Sequence, residues 1–159
     1  MIDVKLKQKK IVVTLKGALN ANTEFPKLTK DNANEILIDM DGVSYINSGG
    51  IKSWFVWFQD INQSLTGYPI TFVKMPALSV RQAASIRGFI PQGSKVNSFY
   101  VPYFCESCNN NSSVLYKNGE NWDSNWSRED KIKKISESRC PKCNSVVEID
   151  AIPEHYTDF

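Results

Sequence analysis

Glu35-Ile-Leu-Ile-Asp-Met-Asp-Gly-Val-Ser-Tyr-Ile-Asn-Ser-Gly-Gly-Ile51 is the stretch on which the fold turns. Glu35 to Met40 is a short apolar run suited to a central strand. Asp41-Gly42 is expected to break it, and Val43 to Ile46 brings the chain to Asn47-Ser48-Gly49-Gly50. A helix then runs to about Gln63, because Ile51, Trp54, Phe55, Phe58 and Ile61 or Leu65 recur at helical spacing. Asn47 or Ser48 supplies its N-cap. The apolar stripe reads as core. Trp57 falls off the stripe, and exposed tryptophans are enriched in interfaces, so Trp57 is marked as a candidate partner contact.

Upstream, Ile2, Val4 and Leu6 alternate with Lys5, Lys7 and Lys9, the pattern of a half-buried strand with a lysine face. Ile11 to Lys16 follows at once as its hairpin partner, and Gly17-Ala18-Leu19-Asn20 ends it. Thr23 to Leu28 is expected to hold a short helix. Downstream come a strand over Tyr68 to Met75, a helix over Ser79 to Ile90 and an aromatic strand over Ser98 to Phe104. The predicted order, ββαβαβαβ, implies an α/β fold: a mixed sheet with helices packed against it.

The last strand runs into the first of two CxxC pairs, Cys105/Cys108 and Cys140/Cys143, which hold all 4 cysteines of the chain. Two such pairs supply the four thiolates of a tetrahedral zinc site. The long spacer between them only has to return the chain to the metal. Asn109 and Asn144 follow the second cysteine of each pair, and Asn tolerates the left-handed backbone that turns amides towards sulfur. Two disulfides suit a secreted chain, and a single redox motif does not explain a matched second pair. With all four positions filled by sulfur, one structural zinc is expected rather than a catalytic one, which keeps a position open for water. Around the site the sequence predicts a strand over Val114 to Tyr116, a helix from Ser127-Arg-Glu-Asp130 to about Ile135, and a strand over Val146 to Ile149. That is a zinc ribbon with a helical insertion. Trp122 and Trp126 are expected to cover one side of the metal, and His155 to lie near a frayed end.

These observations divide the 159 residues into 1–98 and a cysteine module, 99–159. The first carries 12 Lys/Arg against 7 Asp/Glu, the second 7 against 10. An acidic module, made more so by a zinc ion with four thiolates, is a poor reader of phosphates, so nucleic acid is not the expected partner. Lys131, Lys133 and Lys134 form its one basic cluster. The charged start MIDVKLKQKK does not read as a signal peptide and no run is long and apolar enough to span a membrane, so a cytoplasmic location, with reduced thiols, is expected. No Ser-His-Asp set, paired carboxylates near a histidine or phosphate-cradling glycine loop is evident, and no enzyme activity is expected.

The segment Ile36 to Ile51, with its hairpin upstream and its strand and helix downstream, resembles the STAS domain, the fold of anti-sigma factor antagonists. The resemblance covers roughly residues 2–98. The family pattern ends an apolar strand in Asp and opens the next helix with Asp-Ser-Ser-Gly-Leu. Its second serine is commonly phosphorylated by a partner kinase that doubles as an anti-sigma factor. A phosphate there meets free amides at a helix N-terminus and adds charge that breaks a partner interface. The matching residues here are Asn47 for Asp, Ser48 for the first Ser and Gly49 for the phosphorylated one. The resemblance therefore implies a binding loop, Asn47 to Gly50, whose switch is lost or moved to Ser48; the plainer role of Ser48 is a helix cap. The family's final helix is replaced by the cysteine module. The resemblance implies a non-catalytic interaction module in bacterial signalling, with a kinase or anti-sigma factor as partner and the ribbon extending that surface or mediating self-association. The alternatives are a STAS subunit of a membrane lipid or anion transport system, and a nucleic-acid-binding zinc ribbon.

Overall fold

The structure, a computed structural model that describes residues 1–30 and 32–159, is a mixed α/β fold built on two sheets. β1 (Ile2–Lys7) and β2 (Lys10–Leu19) form the hairpin. Their turn residues Gln8 and Lys9 have φ of 48° and 63°, the left-handed pair of a turn whose twist matches the strands. β3 (Glu35–Ile46), β4 (Ile70–Val73) and β5 (Lys95–Val96) follow side by side in parallel, in the order β1-β2-β3-β4-β5. Parallel neighbours need crossovers, and α1 (Ser48–Ser64) and α2 (Ala77–Ser85) supply two of them. Strand alternation sends Val13, Leu15, Ile36, Ile38 and Phe72 into the core, where Trp54 and Phe58 of α1 meet Phe72.

Tertiary contacts overturn several local expectations. Asp41-Gly42 does not break β3, which runs straight through; the register with β2 slips there instead. A Cβ on Gly42 would lie 2.7 Å from Lys16 Cγ and 3.0 Å from the Leu15 oxygen, so this glycine serves close strand approach rather than a turn. Thr23 to Leu28 is irregular rather than helical. Phe25 stacks on Trp57 at 4.7 Å and the Pro26 carbonyl accepts from Trp57 Nε1 at 2.8 Å, which ties the segment to α1. Trp57 is thus 3% exposed and is not the exposed contact that the stripe implied. The buried face of α1 is Gly50, Trp54, Trp57, Phe58 and Ile61; Ile51 and Phe55 are only half covered. The second helix stops at Ser85, short of Ile90. Phe89 leaves it to stack on Trp54 at 5.2 Å and to accept from Trp54 Nε1 at 2.8 Å. The apolar side of β1 is more open than expected, with Val4 41% and Leu6 54% exposed, because β1 is the edge of its sheet.

The aromatic strand forms as β6 (Ser98–Cys105), but in a second, antiparallel sheet ordered β7-β6-β8, with β7 (Asn110–Lys117) and β8 (Glu148–Ile149). β5 and β6 are nearly one run of chain that leaves the first sheet for the second. Asn97 N–H donates to Phe72 O at 2.8 Å, Met75 N–H to Ser98 O at 3.0 Å and Tyr100 N–H to Met75 O at 2.8 Å. The predicted helix of the cysteine module forms as α3 (Arg128–Ser136), with the Ser127 side chain capping Asp130 N–H. The chain end is packed rather than frayed: a 3₁₀ turn, Pro153–Tyr156, buries Tyr156, and Phe159 meets Phe99 with ring centres 5.4 Å apart. His155 is half-buried in that turn. One continuous hydrophobic cluster runs from Val13 and Phe72 through Phe99 to Tyr116 and Ile135.

Candidate metal centre and the strand-helix loop

Cys105 ends β6 and Cys108 lies in the turn before β7, while Cys140 and Cys143 lie between α3 and β8. Folding brings the four sulfurs within 4.8 Å of one another, with Cys105 to Cys143 and Cys108 to Cys140 each at 3.5 Å. A tetrahedral ion with metal–sulfur bonds of about 2.3 Å needs sulfurs about 3.8 Å apart, so the set fits one such ion. Asn109 and Asn144 adopt φ of 51° and 58°, the left-handed conformation expected at both knuckles. In the second knuckle Asn144 N–H donates to Cys140 O and Cys140 N–H to Ser145 O, each at 2.9 Å. Cys105 and Cys140 are buried, Cys108 and Cys143 exposed, so the centre sits in the surface with one side towards water.

The thiols are unequal. Hydrogen bonds from Ser145, side chain and backbone, pull the Cys143 thiol down to about 6. The Cys143 backbone lowers Cys140. Cys108 is pushed up by desolvation and by hydrogen bonding to Cys140. Thiols this close do not all ionise by themselves; a dication that replaces their protons resolves the crowding. Trp122 and Trp126 do not form the expected cover. Trp122 is buried edge-on against Phe99 at 5.1 Å, and Trp126 leans on Trp122. Lys131 leaves the basic cluster: it is buried, its Nζ donating to Thr157 O at 2.9 Å, with the ammonium 5.9 Å from the Trp122 ring centre.

β3 passes into α1 through Asn47-Ser48-Gly49-Gly50. Asn47 Oδ1 accepts from Gly50 N–H at 2.9 Å, so Asn47, not Ser48, is the cap. Ser48 is exposed. The two glycines are packed against the end of β2: a Cβ on Gly50 would lie 2.2 Å from Leu19 O, and one on Gly49 2.7 Å from Ala21 Cβ. Beside the loop is a groove of about 430 Å³ lined by Ala21, Thr23, Phe25, Gly49, Lys52 and Val56 among others. Phe25, Lys52 and Val56 carried no signal in the sequence, since the groove exists only once residues 21–25 lie along α1. Ser145 was equally silent, although it directly follows the second knuckle. A further cavity of about 630 Å³, lined by Lys95, Asn118 and His155 among others, touches neither the cysteines nor the loop. Among the described residues no helix is long and apolar enough to cross a membrane. No protein-family model matches the chain, and no curated protein matches it significantly.

Proposed function

We propose that the chain is a non-catalytic, cytoplasmic protein-interaction module of the STAS type, with one structural zinc ion held by Cys105, Cys108, Cys140 and Cys143. The observation that carries this reading is the junction of β3 and α1. It presents an exposed hydroxyl, Ser48, at a capped helix N-terminus beside a groove with an apolar wall of Phe25 and Val56. Val56 is 50% exposed there. The position that matches the family's phosphorylated serine is Gly49, and its tight packing on Ala21 favours a switch that is absent or resides on Ser48. Four thiolates suit zinc, and a fully sulfur-ligated ion has no open position for chemistry. A kinase or anti-sigma factor is the proposed partner. Reading of nucleic acid is disfavoured, because burial of Lys131 leaves only Lys133 and Lys134 of the basic cluster exposed.

The test captures the tagged full chain from a native lysate of its own organism, beside Val56→Glu and Lys52→Glu variants, and identifies what accompanies it by mass spectrometry. A kinase or sigma-regulatory protein recovered with the parent chain and lost with Val56→Glu supports the module. The same protein recovered equally with all three chains removes the groove from the mechanism. Metal analysis of the purified protein should return one zinc per chain.

A further inference from the structure

β1 is the edge strand of the five-stranded sheet, and its hydrogen-bonding pattern fixes which of its backbone groups are free. Met1 and Lys16 form a doubly bonded pair, with Met1 N donating to Lys16 O at 2.6 Å and Lys16 N–H to Met1 O at 2.9 Å. Antiparallel pairs alternate, so Asp3, Lys5 and Lys7 point their backbone groups at β2, opposite Thr14, Val12 and Lys10. Ile2, Val4 and Leu6 therefore point N–H and C=O away from the sheet, and among the described residues no strand pairs with that edge. Of these residues Val4 and Leu6 also carry exposed apolar side chains, while Ile2 is half-buried against the core. Six free backbone groups thus line the edge, with the exposed side chains of Val4 and Leu6 on one face beside them, as a template for another strand.

The charges on the opposite face of β1 choose the occupant. A second β1 laid antiparallel must pair outward-pointing residues with one another, and only a few registers do so. Centring the pair on Val4 sets Val4 against Val4, Ile2 against Leu6 and, on the other face, Asp3 against Lys5 at both ends. One step either way sets Asp3 against Asp3 or Lys5 against Lys5. The Val4-centred register also uses all six free backbone groups. Within one chain Lys5 Nζ already reaches Asp3 Oδ2 at 2.7 Å, side by side on the same face. We propose that two copies of this chain associate through antiparallel β1–β1 pairing centred on Val4. The pairing joins their sheets into one and closes a four-membered cluster of Asp3 and Lys5 from each copy. This contact is independent of the zinc centre and of the β3–α1 loop.

Light scattering of the full, metal-loaded chain across a roughly thousandfold range of concentration tests the proposal by mass action. The parent chain should climb from 18.0 kDa towards twice that mass. Val4→Pro removes an outward N–H that β2 does not use, so at concentrations where the parent chain is monomeric it should leave the melting curve nearly unchanged, and it should hold the chain at the single mass throughout. Asp3→Lys alone, and Lys5→Asp alone, should each raise the concentration at half-dimerisation about tenfold or more, and the double exchange should restore it. The exchange does not touch the fold's core, so it keeps the test decisive if Val4→Pro misfolds. A parent chain that stays at one mass throughout overturns the proposal. So does a dimer indifferent to these changes, or one that the double exchange fails to restore.

Discussion

At Gly50 a single hydrogen atom is all the space the fold leaves. The Leu19 carbonyl, which also accepts from Asn47 N–H at 3.2 Å, stands where a side chain would begin. Gly50→Ala must push α1 away from the end of β2, and we expect a loss of about 2–4 kcal/mol, read as a lower urea midpoint at unchanged slope. A side chain at position 49, as in Gly49→Ser, meets both the Ala21 side chain and its backbone nitrogen. Residue identity announced the cysteines, because thiol chemistry does not depend on where a core lies. The same could not be said of Trp57. Its position off the apolar stripe pointed it outward, and only the approach of Phe25 and the Pro26 carbonyl buries it.

Among the elements, the β1–β2 turn and the α1 cap are where local chemistry carries the most weight. Lys9 holds φ of 63° without being glycine, at a cost of about 1 kcal/mol. Lys9→Gly should return roughly that amount, visible as a higher melting temperature with unaltered spectra. Asn47→Ala removes the side-chain acceptor for Gly50 N–H and should cost about 1 kcal/mol; a variant as stable as the parent would mean that water replaces the cap. Strands and helices announced themselves by period wherever one face is buried, as in β2, β3 and α1. Their ends did not, because ends are set by contacts from elsewhere. Phe89 ends the α2 region by stacking on Trp54, and β3 outruns Asp41-Gly42 because β2 is there to pair with it.

In the whole molecule the two sheets share a core and nearly share a strand, so metal removal should be felt throughout. Treatment with a chelator, or Cys140→Ser, is expected to lower the midpoint of one unfolding transition by on the order of 10 °C. Two separated transitions, the first alone sensitive to metal, would show that the halves unfold independently. Alkali gives a second global readout. Burial raises the hydroxyls of Tyr103, Tyr116 and Tyr156, and Tyr103 also donates to Ile135 O at 2.7 Å while lying 2.8 Å from the Tyr116 hydroxyl. In the unfolded chain tyrosine ionises near pH 10, so above that the unfolded state binds fewer protons than the folded one. Stability from these groups is therefore complete below about pH 10 and falls as pH rises beyond it. Melting temperatures that stay level from about pH 9 to 11 would contradict the buried tyrosines, and Tyr103→Phe should flatten the fall.

Sequence by itself determined the α/β class, the β3–α1 junction and the four-thiol centre, because periodicity, capping and ligand chemistry act within a few residues. Tertiary structure alone decided that β6 leaves the first sheet, that the chain end closes over Phe99 and that the groove forms beside Ser48. Each of those depends on surfaces from distant parts of the chain meeting, and no local pattern encodes which apolar surface a given side chain will find.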